Sequence, residues 1–539
     1  MNSDSHVWHR QIGLVDQRGL SSMDLSLDGD DDGILSILVM ACQLGACRIG
    51  MGVARLNRSP SDPLNARLTS GLLDGLPETW SEAVEHFHQR GMEIGFSSPQ
   101  GPVDLWAGNP QAIRADQSAV LWMVHGNGRA VLGSGDMRSM PPNEPPKTMV
   151  DAPTLVCGTS ALLHRHLMER GLFWDTPISD RWLTLTARLD DIDPQEALEL
   201  ISSKFGGGTA TSTVAGDGSL IRFRLPLEET PEDLLEVLEQ DRKGASKTLE
   251  GPIDVGPFPA LSEDGSTSFD GQNLPPSVGA GDFLVLGAGG TGSWAAPLIL
   301  SGCDGLVTMT IVDGDQKVES HNLNRQILYE TRNLGSPKAL AAREALAHRF
   351  PALAGGISAI PRPLGPQHVF SNETGSEGEE VSLAEIIGED DGYDEQIVSS
   401  LDSMGVALAC LDNQSARTTL NRACLDRGRV MVNGGGEGVS GIVEAFDGES
   451  CMVCRYGEQE AKSVERISCQ EEGARPVISI VTTTAYVGAM MAAMALCVVA
   501  RARNPLTDMP EARDWASGSI QKRHTGRLPW FEGECASHL

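Results

Sequence analysis

Phe283-Leu284-Val285-Leu286 is an unbroken apolar run closed by glycines, and a second apolar stretch, Trp294–Leu300, follows shortly after. A short run of this kind reads as a strand buried on both faces, and strand, glycine turn and helix in that order make a βα unit. Leu306–Val312 repeats the strand pattern and ends in Asp313-Gly314-Asp315; Val406–Leu411 repeats it again and ends in Asp412. Together they predict an α/β fold with a mostly parallel sheet that gathers polar residues at its carboxyl edge. In the amino-terminal part, Ile34–Ala41 and Ala119–Val124 predict apolar strands and Thr159–Arg170 a helix, with no intact glycine turn after either strand. Asp28-Gly29-Asp30-Asp31-Asp32 has only a superficial likeness to a calcium loop, lacking the spaced ligands and terminal Glu, and reads as a turn. Pro476–Ala500 contains no charged residue and is long enough to cross a bilayer. It is rich in small residues and lacks aromatic belts, so a buried helix at a protein–protein interface is expected, and no membrane partner.

Charge and composition narrow the function classes. The 539 residues carry 42 Lys and Arg against 73 Asp and Glu, a net charge of −31, and 40% are hydrophobic. The apolar content supports real cores, and at roughly 100–200 residues per domain the length suggests about three units. Such acidity gives no footprint for a nucleic acid. The 11 cysteines are scattered and odd in number, and no secretory signal is visible at Met1-Asn2-Ser3-Asp4-Ser5-His6, so a cytoplasmic protein without a disulfide framework is expected. A Gly/Pro/Ser-rich stretch at residues 244–281 reads as a linker between a unit at 1–243 and one at 282–539. Pro141-Pro142-Asn143-Glu144-Pro145-Pro146 is a shorter break, and an acidic insertion at about 365–400, covering Glu373–Glu395, reads as a solvated loop.

Gly287-x-Gly289-x-x-Gly292 alone does not identify a ligand, because a nicotinamide dinucleotide site would use the same glycines and the same Asp313. Four ordered blocks discriminate: Asp313-Gly314-Asp315, Asn322-Leu323-Asn324-Arg325-Gln326, Gly335-Ser336-Pro337-Lys338, and Asp412-Asn413 with Ala416-Arg417. In these the sequence resembles, over about residues 282–539, the E1-like adenylating family, which includes ubiquitin-activating enzymes and sulfur-carrier activators. The resemblance implies a Rossmann-like E1-type adenylation domain. Gly287, Gly289, Gly290 and Gly292 would lie beside ATP, and Asp313, with Asp315 next to it, would hold the ribose. Asn322, Arg325 and Lys338 would bind the triphosphate with Gln326 beside them, and Asp412 would hold Mg²⁺. The residue types suit the chemistry: carboxylate attack on the α-phosphate drives negative charge onto the phosphate oxygens and pyrophosphate, where Arg, Lys and Mg²⁺ stabilise it.

The same resemblance extends to His9-Arg10-Gln11-Ile12-Gly13-Leu14, similar to the opening of these proteins, and makes Arg10 a candidate arginine finger. Residues 1–243 would then be a degenerate, inactive adenylation-like domain paired with the active one. Cys451-Met452-Val453-Cys454 stands where family members carry half of a zinc knuckle, and Cys535-Ala536-Ser537-His538 supplies a second pair; Cys451, Cys454, Cys535 and His538 make a candidate Zn²⁺ site. Cys469 stands where compact family members place the cysteine that takes over the activated acyl group. The expected function is Mg-ATP-dependent adenylation of the carboxyl terminus of a ubiquitin-like protein ending in glycine, capture on Cys469 as a thioester, and transfer to an E2-like conjugating partner. By resemblance this belongs to a bacterial conjugation system, some of which serve antiphage defence. Sulfur-carrier activation and a non-catalytic scaffold are the alternatives, and a homodimer is one assembly the sequence allows.

Overall fold

The structure is a computed structural model. It describes residues 15, 17–46, 48–51, 63–73, 77–90, 92–96, 103–109, 119–126, 128–135, 147–170, 172, 182–189, 211–214, 220–226, 245–247, 253–255, 274–369, 394–438, 440–446, 451–453, 479–501, 511–516 and 519–524.

The amino-terminal part runs α1 (Gln17–Ser22), β1 (Asp24–Gly29), α2 (Asp31–Leu44), β2 (Arg48–Met51), α3 (Trp80–His88), β3 (Glu93–Phe96), β4 (Val103–Gly108), β5 (Ala119–Gly126), β6 (Arg129–Gly135) and α4 (Asp151–Glu169). Next come β7 (Trp182–Leu189), β8 (Thr211–Val214), β9 (Leu220–Pro226) and β10 (Ala245–Lys247), an antiparallel sheet of their own, and β11 (Ile253–Val255). The carboxyl-terminal part runs β12 (Val278–Leu286), α5 (Gly292–Ser301), β13 (Cys303–Val312), α6 (Lys338–Arg349), β14 (Ile357–Ile360), α7 (Glu395–Ser403) and β15 (Val406–Ala409). It continues with α8 (Gln414–Asp426), β16 (Val430–Glu437), β17 (Ser440–Phe446), α9 (Val481–Val499), β18 (Glu511–Ala516) and β19 (Ser519–His524).

Two large sheets result, in the orders β3-β2-β1-β4-β5-β6-β11 and β14-β13-β12-β15-β16-β17-β18-β19. In each, the first five strands are parallel and the rest antiparallel. The α/β class with parallel-dominated sheets is as expected; the strand order of the amino-terminal sheet could not be read from its residues, where only the resemblance suggested a related half.

The helices between the sheets bind the two parts together, and one contiguous apolar core runs through both. Helix α9 is long and apolar enough to cross a membrane, but 94% of its hydrophobic window is buried inside the protein. It lies against α4: Cys157 Sγ contacts Tyr486 O at 3.7 Å, the Ser160 hydroxyl donates to Thr482 O, and His164 Nδ1 is 2.9 Å from Thr482 Oγ1. Gly488 permits the close approach of α9 to α5, since a Cβ there would stand 2.5 Å from Thr291 O.

Two expectations need correction. Ile34–Ala41 is not a strand but the middle of α2. An unbroken apolar run cannot separate a buried strand from a buried helix. The deciding signals flank it: Asp30 caps the helix by accepting from Gly33 N, Asp31 and Asp32 sit in the first turn, and Gly45 closes it at φ 84°. The stretch 244–281 is not wholly linker, because it holds β10 and β11 and the start of β12, and β11 pairs with β6 at the edge of the first sheet. Residues 370–393, most of the acidic insertion, lie outside the described residues. His368 closes its neck, with Nε2 accepting from Asp394 N at 3.1 Å and Nδ1 3.2 Å from Gly365 O.

Candidate active site

In the second sheet the chain leaves β12 toward β13 and β14, then returns to β15 on the other side. A crevice opens outside the carboxyl ends where the direction reverses, the place where open α/β sheets bind ligands. The glycine turn, Asp313 and Asp412 all stand at these strand ends.

The turn is built from backbone contacts that side chains would block. Gly287 has φ 89° and donates to Val312 O at 2.8 Å; a Cβ there would meet Cys410 O at 2.4 Å. A Cβ on Gly292, the first residue of α5, would stand 1.9 Å from Gly287 O. Gly289 differs, for a Cβ on it would have no neighbour within 4 Å among the described residues. Among the described residues the turn is therefore compact inside and open outside. The first turn of α5 carries no acidic residue and no side-chain cap, leaving its amide end available to an anion.

Asp313 fastens β13 to this turn, accepting from Ala288 N at 2.6 Å and from Asp315 N at 2.8 Å. Burial pushes its carboxyl above the usual range, against the pull of Lys338. Lys338 opens α6; its backbone N donates to Asp315 O at 3.0 Å and its ammonium pairs with the Asp315 carboxylate. Arg325 is 6% exposed and Lys338 8%, so both cations sit where solvent screens them little. Arg325 Nη1 donates to His321 O at 2.6 Å and Asn324 Oδ1 at 2.9 Å, and its Nε would lie 3.8 Å from a Cβ on Gly290. Asn322 is buried, with Oδ1 accepting from Glu319 N at 2.8 Å. Gln326 Oε1 is buried with no hydrogen-bond partner among the described residues. Asp412 is exposed beyond β15, and the next residue, Asn413, caps α8.

Three residues to which sequence reasoning gave no structural role hold this edge together. Tyr329 OH donates to Ala288 O at 2.9 Å and lies 3.2 Å from Lys338 O, joining the glycine turn to the start of α6. Burial, reinforced by Asp313 and Asp315, raises its pKa well above 10, so it remains a donor. Trp294 Nε1 donates to Arg325 O at 3.0 Å. Arg417 is a clamp rather than a ligand group: it donates to Ala409 O, Leu411 O, the Asn433 side chain and Gly434 O, fixing the end of β15 against β16. Only the position of Tyr329 beside the Asn322–Gln326 block hinted at any of these roles.

The structure thus gathers Gly287, Gly289, Gly290, Gly292, Asp313, Asp315, Asn322, Arg325, Gln326, Lys338 and Asp412 at one edge. Arg10, Cys454, Cys469, Cys535 and His538 lie outside the described residues. Cys451 is buried beside Leu425 and Val453, and among the described residues no group of three or more His, Cys, Asp or Glu is arranged to hold a metal.

The corresponding turn of the first sheet, between β1 and α2, has opposite chemistry. Asp30 accepts from Gly33 N and Asn109 N, both at 2.7 Å, and its carboxylate lies 3.4 Å from His125 Nε2. Asp31 accepts from Asn65 N at 2.8 Å, and Asp32 from Leu68 N, Thr69 N and Thr69 Oγ1 at 2.8–2.9 Å. Carboxylates already occupy this helix end, where a phosphate would otherwise be drawn.

A parallel sheet with an open glycine turn and two buried cations at its switch point is the architecture of a nucleotide-binding α/β domain. Residues 277–523 match the ThiF family. It is 34% identical over 140 residues to "Adenylyltransferase and sulfurtransferase uba4" of Aspergillus clavatus, covering 24% of this chain and 28% of that protein. It is 28% identical over 203 residues to "Molybdopterin-synthase adenylyltransferase" of Escherichia coli, covering 36% and 67%. Among solved structures, Escherichia coli MccB with ATP aligns over 48% of this chain and 66% of that one, at 16% identity and a TM-score of 0.34.

Proposed function

We propose that this protein is an ATP-dependent adenylyltransferase that activates the carboxyl terminus of a small ubiquitin-fold protein. The observation that carries this reading is the convergence of Arg325 and Lys338 on a glycine turn whose outer side is open among the described residues. The residues fit a nucleotide: Asp313 can accept ribose hydroxyls, the amide end of α5 and the two cations can face the triphosphate, and the buried Gln326 Oε1 has no hydrogen-bond partner among the described residues. A carboxylate oxygen of the carrier would attack the α-phosphorus, forming an acyl-adenylate while the bond to the β-phosphate oxygen breaks and pyrophosphate leaves. Lys338 would exchange Asp315 for phosphate oxygens, and Arg325 would neutralise charge as pyrophosphate departs. Asp412 would hold Mg²⁺, which when bound supplies further charge neutralisation.

The first sheet supports a paired, inactive half within residues 1–243: it repeats the strand order of the second while its turn is filled by carboxylates. For the step after adenylation, the reading is thioester formation on Cys469 and transfer to an E2-like partner, with antiphage defence as the setting suggested by resemblance. Sulfur transfer is the second reading, favoured by relatives named for adenylyltransferase and sulfurtransferase activity. The test is ATP–pyrophosphate exchange by the full chain with candidate ubiquitin-fold proteins ending in glycine, followed by non-reducing gels of wild type and Cys469→Ala. Carrier-dependent exchange supports adenylation, and a thiol-sensitive adduct lost in Cys469→Ala supports the relay. Exchange without an adduct, with sulfur on the carrier by mass spectrometry, replaces the relay with sulfur transfer. No exchange with any carrier overturns the enzymatic reading.

A further inference from the structure

The carboxylates that fill the first turn do more than occupy it. Asp31 and Asp32 hold the loop at residues 63–73 through Asn65 N, Leu68 N and the Thr69 amide and hydroxyl. The far end of that loop, a 3-10 turn at Ser70–Leu72, reaches the second half of the protein. Gly71 packs so closely that a Cβ on it would stand 2.2 Å from Phe350 Cζ. Arg349, the last residue of α6, donates from Nη1 to Gly71 O and Leu72 O at 3.3 Å and from Nη2 to Ile327 O at 2.7 Å.

Ile327 directly follows Arg325 and Gln326. Just beyond, the Glu330 carboxylate pairs with Arg90, which follows α3 in the first half. The segment at 322–330 is therefore held from the outside at two points, both involving the amino-terminal half. Asp313 is fixed without either contact, through Ala288 N and Asp315 N, and the glycine turn has its own tie from Gly287 N to Val312 O, while Tyr329 of the braced segment also donates to Ala288 O.

We infer that Arg349 is a positioning residue: the contacts Asp32–Thr69, Gly71/Leu72–Arg349 and Arg349–Ile327 carry the support of the carboxylate-filled half to the segment that presents Arg325 and Gln326. This deepens the proposed function and rests on it for the identity of the ligand. The physical cause is the fork of the guanidinium, which satisfies carbonyls from two different segments at once and fixes their separation. Lysine has one compact ammonium and can satisfy only part of this set.

The test compares wild type, Arg349→Gln, Arg349→Lys and Asp32→Asn as full chains, with cooperative thermal unfolding as the folding control. Hydrogen exchange without ligand is expected to show lost protection at 322–330 in Arg349→Gln and, more weakly, in Asp32→Asn, with the β12 and β13 amides unchanged. ATP affinity is expected to fall about tenfold in Arg349→Gln while adenosine affinity stays within about twofold, with partial recovery in Arg349→Lys. Equal losses for ATP and adenosine would make Arg349 merely structural and overturn the inference, as would unchanged protection at 322–330. Should Arg349→Gln fail to fold, Asp32→Asn and Arg90→Ala decide by the same protection pattern. A wild type that binds neither nucleotide overturns the proposed function, while hydrogen exchange still decides whether the contacts position the segment.

Discussion

The two large sheets share one strand order and one direction pattern over their first six strands, and each sends a helix away from its central strand. At that shared place one turn reads Gly287-Ala288-Gly289-Gly290-Thr291-Gly292 and the other Gly29-Asp30-Asp31-Asp32-Gly33. Both need glycine where the chain passes its neighbour: a Cβ on Gly287 would meet Cys410 O at 2.4 Å, and one on Gly29 would meet Ala107 O at 1.7 Å. They differ in what approaches the helix end. In the second sheet the turn is open and cations are near; in the first, three carboxylates use the amides of α2 and of a loop that braces the other half. The sheet creates the crevice, and a few residues decide whether it receives an anion or supplies its own.

The largest effect expected from breaking this contrast is chemical. Lys338→Ala should lower carrier-dependent ATP–pyrophosphate exchange on the order of 100-fold, as removal of a transition-state donor typically does. Retained exchange would remove Lys338 from the phosphate site.

Next comes a contrast inside the open turn itself. Gly292→Ala should destabilise the fold by about 3 kcal/mol, because backbone rather than a flexible side chain blocks the new methyl. Gly289→Ala should change stability by no more than about 0.5 kcal/mol yet weaken ATP binding. Denaturant midpoints paired with nucleotide titrations separate the two, and a Gly289→Ala protein with unchanged affinity would place the phosphates elsewhere.

In the filled turn, Asp30→Ala should cost about 1–2 kcal/mol through loss of the helix cap. It should not create nucleotide affinity in the first sheet, because Asp31 and Asp32 remain. A second ATP equivalent bound by this variant would show that one carboxylate alone had closed the site.

The smallest effect is on pH dependence. Burial works against protonation of His125, but Asp30, with Asp32 and Asp151 farther off, outweighs it and raises its pKa above 6.5. Its stabilisation is therefore complete below 6.5 and lost as pH rises through the folded value. Burial also works against ionisation of Asp30, yet His125 and the Gly33 and Asn109 amides hold its pKa below 3.8. That contribution is present above 3.8 and lost as pH falls through the folded value. Denaturant midpoints of His125→Gln should lose the alkaline decline expected of wild type; an identical decline in both proteins would assign it to another group.

Much of the second sheet was legible because its signals are local. The apolar runs of β12, β13 and β15 end in Gly287, Asp313 and Asp412, and strand-end residues gather wherever parallel strands align. The first sheet was harder to read because Asp28–Asp32 lacks the glycine pattern and Ile34–Ala41, apolar but for Ser36, is buried on every side. A helix buried all round loses the periodicity that would distinguish it from a strand. The supporting roles were illegible for another reason: Tyr329, Arg349 and Arg417, the last legible only as part of a motif block, act mainly by donating to backbone carbonyls, and every residue offers a carbonyl whatever its side chain.

By itself the sequence determined the α/β class, the order of the motif blocks along residues 282–539 and the chemical types at the site. Those properties follow from hydrophobic periodicity, backbone freedom and charge, all written residue by residue. Tertiary structure decided that α4 and α9 join two sheets of the same order and that carboxylates occupy one turn while the other stays open. It also decided that Arg349 spans from Leu72 to Ile327. These are contacts between residues up to hundreds of positions apart, set by packing geometry that no local pattern encodes.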